Sequence, residues 1–191
     1  MPTPNLRGTV DLSRFDNSWY SPGRGYLIRS IWHFVNALFL QNPLNPSSGI
    51  KTRLLRLFGA KIGSGVVLKP SINVKYPWNL TIGNNTWIGE HAWLDSLAPI
   101  YIGANACISQ GAYFCTGNHD WSDPAFGLVV KPIIIEDGAW VGARATVLPG
   151  VTIKSHSIVA AGTVIAKDTE PYMIYSGNPA LPVKERKILS S

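Results

Sequence analysis

From Ile62 onward an aliphatic residue or Phe recurs every six positions. The series runs Ile62, Leu68, Val74; Ile82, Ile88, Leu94; Ile102, Ile108, Phe114; Ile135, Val141, Val147; Ile153, Val159, Ile165. Several are followed by glycine (Gly63, Gly83, Gly89, Gly103, Gly142). Four positions after each aliphatic the residue is often small or β-branched, as at Val66, Ala92, Ala106, Ala112, Ala139, Ala145 and Thr163. A period of six is neither helical nor a simple strand alternation. It suits a short strand and a turn, three of which close one coil, with the aliphatic inside and the next residue helping the chain round the corner. The pattern predicts a parallel β-helix. Grouped in threes, the coils begin at Ile62, Ile82, Ile102, Ile135 and Ile153. The 33-residue step between Ile102 and Ile135 carries 15 residues beyond three hexads. Something therefore protrudes from an otherwise regular stack of about five coils, and a loop at 117–134 is expected.

Ahead of the repeats the pattern changes. Residues 26–40 read as a short apolar helix with one polar stripe, Arg29, His33 and Asn36, spaced by four and three. Pro43, Pro46 and Gly49 break the chain, and residues 50–59 read as a second amphipathic helix stopped by Gly59. The organisation expected is a helical head at 1–61, a β-helix at 62–170 and a tail at 171–191. Head and tail would cover the open ends of the stack, where unpaired strand edges invite aggregation.

Charge sharpens this division. The chain of 191 residues carries a net charge of +6. Residues 1–61 hold eight basic residues (Arg7, Arg14, Arg24, Arg29, Lys51, Arg53, Arg56, Lys61) and two acids (Asp11, Asp16), which is the whole +6; residues 62–191 hold nine of each sign. A basic head on a neutral body argues against a nucleic-acid reader, which needs a basic stripe on its folded surface. The head instead suggests contact with an anionic membrane surface. Two cysteines, Cys107 and Cys115, make no disulfide framework, and both read as packing or surface thiols. No signal peptide is expected, and the longest apolar run, Ile31–Leu40, is about half of what spans a bilayer. A cytoplasmic protein is expected.

Two segments carry a resemblance. WVGARATVLPGVTIKSHSIVAAGTVIAKD (140–168) is similar to the terminal coils of the hexapeptide-repeat acyltransferases. YIGANACISQGAYFCTGNHDWSDPAFGL (101–128), with AWLDSLAPI before it and SGNPALPVKER after it, resembles the colanic-acid-biosynthesis-type (WcaF-like) sugar O-acetyltransferases. The resemblance implies a left-handed β-helix, a homotrimer, acetyl-CoA as acyl donor and a sugar or glycan acceptor in polysaccharide biosynthesis, with no metal. It implies that His119 is a general base, a task suited to an imidazole, which titrates near ~6.5. It places Asp95 near the acceptor hydroxyl or the histidine. Asn118, Asp120, Trp121 and Asp123 are the neighbouring substrate-binding candidates. Trp140, Gly142, Ala143, Ala161 and Gly162 match stretches that bind coenzyme A, with Lys167 and Lys184 as cations for its phosphates; Arg186 reads as a solvated surface charge. His91 and His156 occupy outward repeat positions and supply no metal triad. An N-acyltransferase on an amino sugar or small amine is the alternative enzyme, and a non-catalytic β-helix scaffold the alternative from another class.

Overall fold

The computed structural model describes residues 8–189. Its body is a three-sided parallel β-helix. The first face stacks Lys61–Ile62, Leu80–Ile82, Ile100–Ile102, Ile133–Ile135 and Thr152–Ile153. The second stacks Val67–Leu68, Trp87–Ile88, Cys107–Ile108, Trp140–Val141, Ile158–Val159 and Met173–Ser176. The third stacks Asn73–Val74, Trp93–Asp95, Tyr113–Cys115, Thr146–Val147 and Val164–Ile165. Every hexad start pairs with the hexad starts above and below it, for example Ile62 with Ile82 and Ile82 with Ile102. All of them but Ile62 are buried, and they form the core with the small residues four positions on. Five coils are complete, and Met173–Ser176 adds a sixth rung to the second face.

The corners work differently from the expectation. The turn is made by the residue three positions after each aliphatic of the first and second faces, which adopts positive φ, as at Asn85 (56°), His91 (57°), Asn105 (54°), Arg144 (55°) and His156 (58°). His91 and His156 are therefore corner residues. The glycine directly after the aliphatic serves close stacking. A Cβ on Gly83 would lie 2.5 Å from the backbone nitrogen of Ala104, and one on Gly142 would lie 2.6 Å from that of Ala161. Only glycine lets neighbouring coils approach so closely there.

All extra residues leave from one edge of the prism, between the third and first faces. There sit the 3₁₀ turn Pro77–Asn79, the turn at 96–99 and the long excursion. The excursion is a β-hairpin. Gly117–His119 pairs antiparallel with Leu128–Val130, and Lys131 N–H donates to Thr116 O (2.9 Å) at its base. The chain rejoins the coil at Ile133. The tail also joins the sheet, since Leu181–Glu185 folds back antiparallel on Met173–Ser176.

The head closes the first coil. Helix α1 (Tyr26–Val35) widens into a π-helical turn at Asn36–Leu40. Helix α2 (Ser48–Leu57) starts earlier than the glycine signal suggested, because the Ser47 hydroxyl caps it by accepting from Ile50 N–H (3.2 Å). Gly49 then lies in the first turn, where N–H groups lack intrahelical partners anyway. Head side chains satisfy the open edge of all three faces. Arg56 donates to Ile62 O and Gly63 O, Lys51 and Ser48 donate to Leu68 O, and Trp32 Nε1–H donates to Val74 O (2.9 Å) while Asn36 accepts from Val74 N–H. Burial pushes the Lys51 ammonium pKa down from its ordinary value. The polar stripe of α1 faces the β-helix, where Asn36 donates to Asn73 (2.8 Å), and its apolar stripe of Leu27, Ile31 and Phe34 faces outward. Among the described residues no helix is long and apolar enough to cross a membrane.

Candidate active site

His119 ends the first strand of the hairpin, at the point where the hexad register breaks. Its ring is half-buried and lies flat on Phe126 (centroids 4.4 Å apart, planes 13° from parallel), with Phe15 of the N-terminal arm at 5.7 Å. Nδ1 is 2.9 Å from the Phe126 carbonyl oxygen. A carbonyl can only accept, so this contact puts the proton of the neutral ring on Nδ1 and the lone pair on Nε2. The neutral imidazole is thus held with its lone pair on one defined nitrogen, Nε2.

The loop holds that carbonyl in place. Phe126 has φ of 56°, a costly conformation for a bulky residue. Asp123 stabilises it from both sides, with Oδ1 accepting from Ala125 N–H (2.9 Å) and Oδ2 from Gly127 N–H (3.2 Å). Asp120 is different: it is exposed and spent on a local turn with Ser122, whose hydrogen bonds hold the Asp120 carboxyl below its usual pKa. Asn118 accepts from His119 N–H (2.8 Å). Trp121 is 84% exposed and lies beside Val10 and Pro124 in a small crevice of the arm.

Asp95 is buried on the third face, in register with Cys115. It ion-pairs with Lys75 (3.1 Å) and accepts from the Tyr113 hydroxyl (3.4 Å). Among the described contacts it does not touch His119. The Cys115 thiol donates to Gly117 O (2.9 Å), and burial pushes the Cys107 thiol pKa up; neither thiol is hydrogen-bonded to a histidine among the described contacts.

A second cluster lies on the second face. Trp140, Ile158, Ile174, Lys184, Arg186 and Lys187 line a groove of about 770 Å³. Trp140 and Lys184 thus line the same groove. Gly142 N–H donates to Val159 O and Gly162 N–H to Ala143 O, so these backbone groups are engaged in coil stacking, although Ala161 and Gly162 remain exposed at the corner. Lys167 is exposed beyond the last strand of the third face, outside this groove. Arg186, read from sequence as a solvated charge, is half-buried and donates to Gly138 O (2.8 Å) and His156 O (3.1 Å), fastening the tail to two coils. Among the described residues no group of three or more His, Cys, Asp and Glu is placed to hold a metal.

Sequence reasoning missed Phe15, the Phe126 carbonyl and Leu128, which pairs with His119. The carbonyl left no letter in the sequence, and Phe15 lies about a hundred residues away.

Comparison with known proteins agrees with this architecture. The family pattern "Bacterial transferase hexapeptide (six repeats)" matches residues 132–167. WcaF of Escherichia coli (strain K12), named for acetyl transfer in colanic acid biosynthesis, is 43% identical over 133 residues, covering 70% of this chain and 73% of WcaF. The galactoside O-acetyltransferase of the same organism is 25% identical over 139 residues, covering 69% and 66%. Among solved structures, the hexapeptide-repeat acetyltransferase VCA0836 from Vibrio cholerae, complexed with acetyl coenzyme A, superposes with a TM-score of 0.76 at 25% identity, covering 85% and 88%. With the coiled body, the hexapeptide pattern and 43% identity across most of both chains in agreement, the chain belongs to the hexapeptide-repeat acetyltransferases.

Proposed function

We propose that this enzyme transfers an acetyl group from acetyl-CoA to a sugar hydroxyl in polysaccharide biosynthesis. The observation that carries the reading is His119, with its Nδ1 proton given to Phe126 O and its Nε2 free to act as base. Its setting on a hydrogen-bonded hairpin at the edge of the prism supports the role. Nε2 removes the proton of the acceptor hydroxyl as that oxygen attacks the thioester carbonyl. The carbon–sulfur bond then breaks, and the proton passes from the imidazole to the departing thiolate. No acyl-enzyme is needed, which leaves both cysteines outside the chemistry.

Acetyl-CoA supplies the activated acyl group. The second-face groove fits such a donor: Trp140, Ile158 and Ile174 give an apolar wall for a thin arm, and Lys184 and Lys187, on either side of Glu185 and the tail-fastening Arg186, give cations for phosphates. A homotrimer fits the aromatic side chains left exposed on the flanks of the prism, Trp87, Trp93, Tyr101 and Trp140. The outward apolar stripe of α1 and the basic head support contact with an anionic membrane surface on the cytoplasmic side.

The test is to incubate the protein with acetyl-CoA and a panel of hexoses and amino sugars, and to read the product by mass and by hydroxylamine treatment. A mono-acetylated product cleaved by hydroxylamine is an ester and supports O-transfer. A resistant product is an amide and replaces this reading with N-transfer.

A further inference from the structure

A groove that the cofactor reading does not use lies beside His119. The N-terminal arm crosses the edge of the prism and is pinned at three points. Asp11 N–H donates to Pro124 O (2.8 Å), Tyr20 donates to Leu97 O (2.9 Å), and Trp78 donates to Pro22 O (2.6 Å). Between this arm and the third face is a groove of about 520 Å³ whose lining includes Phe15, Tyr20, Arg29, Lys75, Tyr76 and Leu128. A neighbouring groove of about 440 Å³, between α1 and the third face, shares Arg29, Lys75 and Tyr76. The two form one channel with both cations at its waist.

The channel borders the base at one end. Phe15 packs on the His119 ring and also lines the groove. Leu128 is the antiparallel partner of His119, so their side chains emerge on the same face of the hairpin. At the other end lies Tyr26, beside the outward apolar stripe of α1.

The electrostatics favour an anion. Between Asp16 and Glu90 the sequence contains eight basic residues and no acid. Lys75 is paired with Asp95, which fixes its position on the third face. Arg29 makes no ion pair among the described residues, and its Nε is buried without a hydrogen-bond partner. A buried guanidinium nitrogen with no acceptor is costly, and a phosphate, with several oxygens in the geometry of the guanidinium fork, satisfies it. Arg29 also packs over Tyr26 (6.0 Å), which limits its freedom. Burial, then the nearby Tyr76 and Asp95, raises the Tyr20 phenol pKa, which keeps that hydroxyl a donor.

We propose that this channel binds the phosphate of a sugar linked through a diphosphate, with Arg29 and Lys75 as anion contacts and Phe15, Tyr20 and Tyr76 around the sugar. The proposal rests on the acetyl-transfer reading and names its acceptor class. Uncharged free sugars then lack the main anchor. Nucleoside diphosphate sugars and lipid-linked sugar diphosphates share the chemistry, and the exposed apolar residues at the Tyr26 end offer a place for a lipid chain.

The test begins with binding. Inorganic pyrophosphate is titrated by calorimetry into protein already saturated with coenzyme A, so that the donor groove is filled. The expected result is one site per chain, weakened about 10- to 100-fold by Arg29→Gln and by Lys75→Gln, retained in Arg29→Lys, and unaffected by His119→Ala. Loss of catalysis in His119→Ala therefore reports on the chemistry and leaves this result standing. Absence of binding, or binding indifferent to both Gln variants while their melting temperatures match the wild type, overturns the proposal. Kinetics with a nucleoside diphosphate hexose and with a short-chain prenyl diphosphate hexose follow. Arg29→Gln is expected to raise KM and leave kcat for the true source, and the lower wild-type KM identifies it. Equal kcat/KM for an uncharged hexose and both diphosphates overturns the proposal.

Discussion

At the scale of single residues, the site turns on how one backbone oxygen orients one imidazole. His119 was legible in the sequence because it stands where a strict repeat fails, and a rigid scaffold interrupted by a loop is a good place for chemistry. Asp120 and Asp123 looked equivalent there, three residues apart in one polar loop. The structure separates them: Asp120 serves a solvent-facing turn, whereas Asp123 holds the strained Phe126 whose carbonyl fixes the His119 tautomer. Asp123→Ala is therefore expected to lower kcat about 10- to 100-fold through a misoriented base, with KM for acetyl-CoA unchanged. Asp123→Asn keeps the Ala125 contact and recovers most of the rate. Nitrogen NMR of the imidazole is the check beyond activity: the wild type should show protonated Nδ1, and the Ala variant a mixture of tautomers. A purely structural Asp123 would leave that spectrum unchanged.

At the scale of elements, the hexad was almost fully legible, down to the strand partners, because burying one aliphatic per strand leaves a period that nothing else produces. The corners were harder. Glycines after the aliphatics suggested turning, but the stack needs them for coil-to-coil approach, and the left-handed turn falls to residues such as Asn85 and Asn105 two positions later. The head was legible as two helices that would cover the first coil, but the side chains that do so were not. Trp32, Asn36, Ser48, Lys51 and Arg56 finish a sheet edge with side-chain hydrogen bonds, which no local pattern announces. Trp32→Phe keeps most of the buried ring but leaves Val74 O without its donor, so urea unfolding should show a loss of about 1–3 kcal/mol. Trp121→Phe, on an 84% exposed side chain, should change stability by less than about 0.5 kcal/mol. Equal effects would remove the edge-capping role.

At the scale of the whole molecule, the +6 charge resolves into separate tasks. Lys51 and Arg56 are engaged with carbonyls of the first coil, and Arg29 faces the channel opposite Lys75 of the neutral body. Arg24 and Arg53 remain on the head, as does the stripe of Leu27, Ile31, Phe34 and Leu38, each at least 43% exposed. Helices normally bury such a stripe. Flotation with vesicles rich in anionic lipid at low salt should carry the wild-type protein upward, and Leu27→Ser with Phe34→Ser should leave it at the bottom. A wild-type protein that stays down, or assembles with other copies through this stripe as shown by loss of oligomer in the double variant, would end the membrane reading.

The central claim is that Nε2 of His119 takes the proton of a sugar hydroxyl. Its most direct measurement is acceptor-dependent release of free thiol from acetyl-CoA by the wild type and by His119→Ala, at saturating donor. The account predicts a kcat at least about 10²-fold lower in the variant, with coenzyme A binding intact. Near-wild-type thiol release and ester formation by His119→Ala would contradict it.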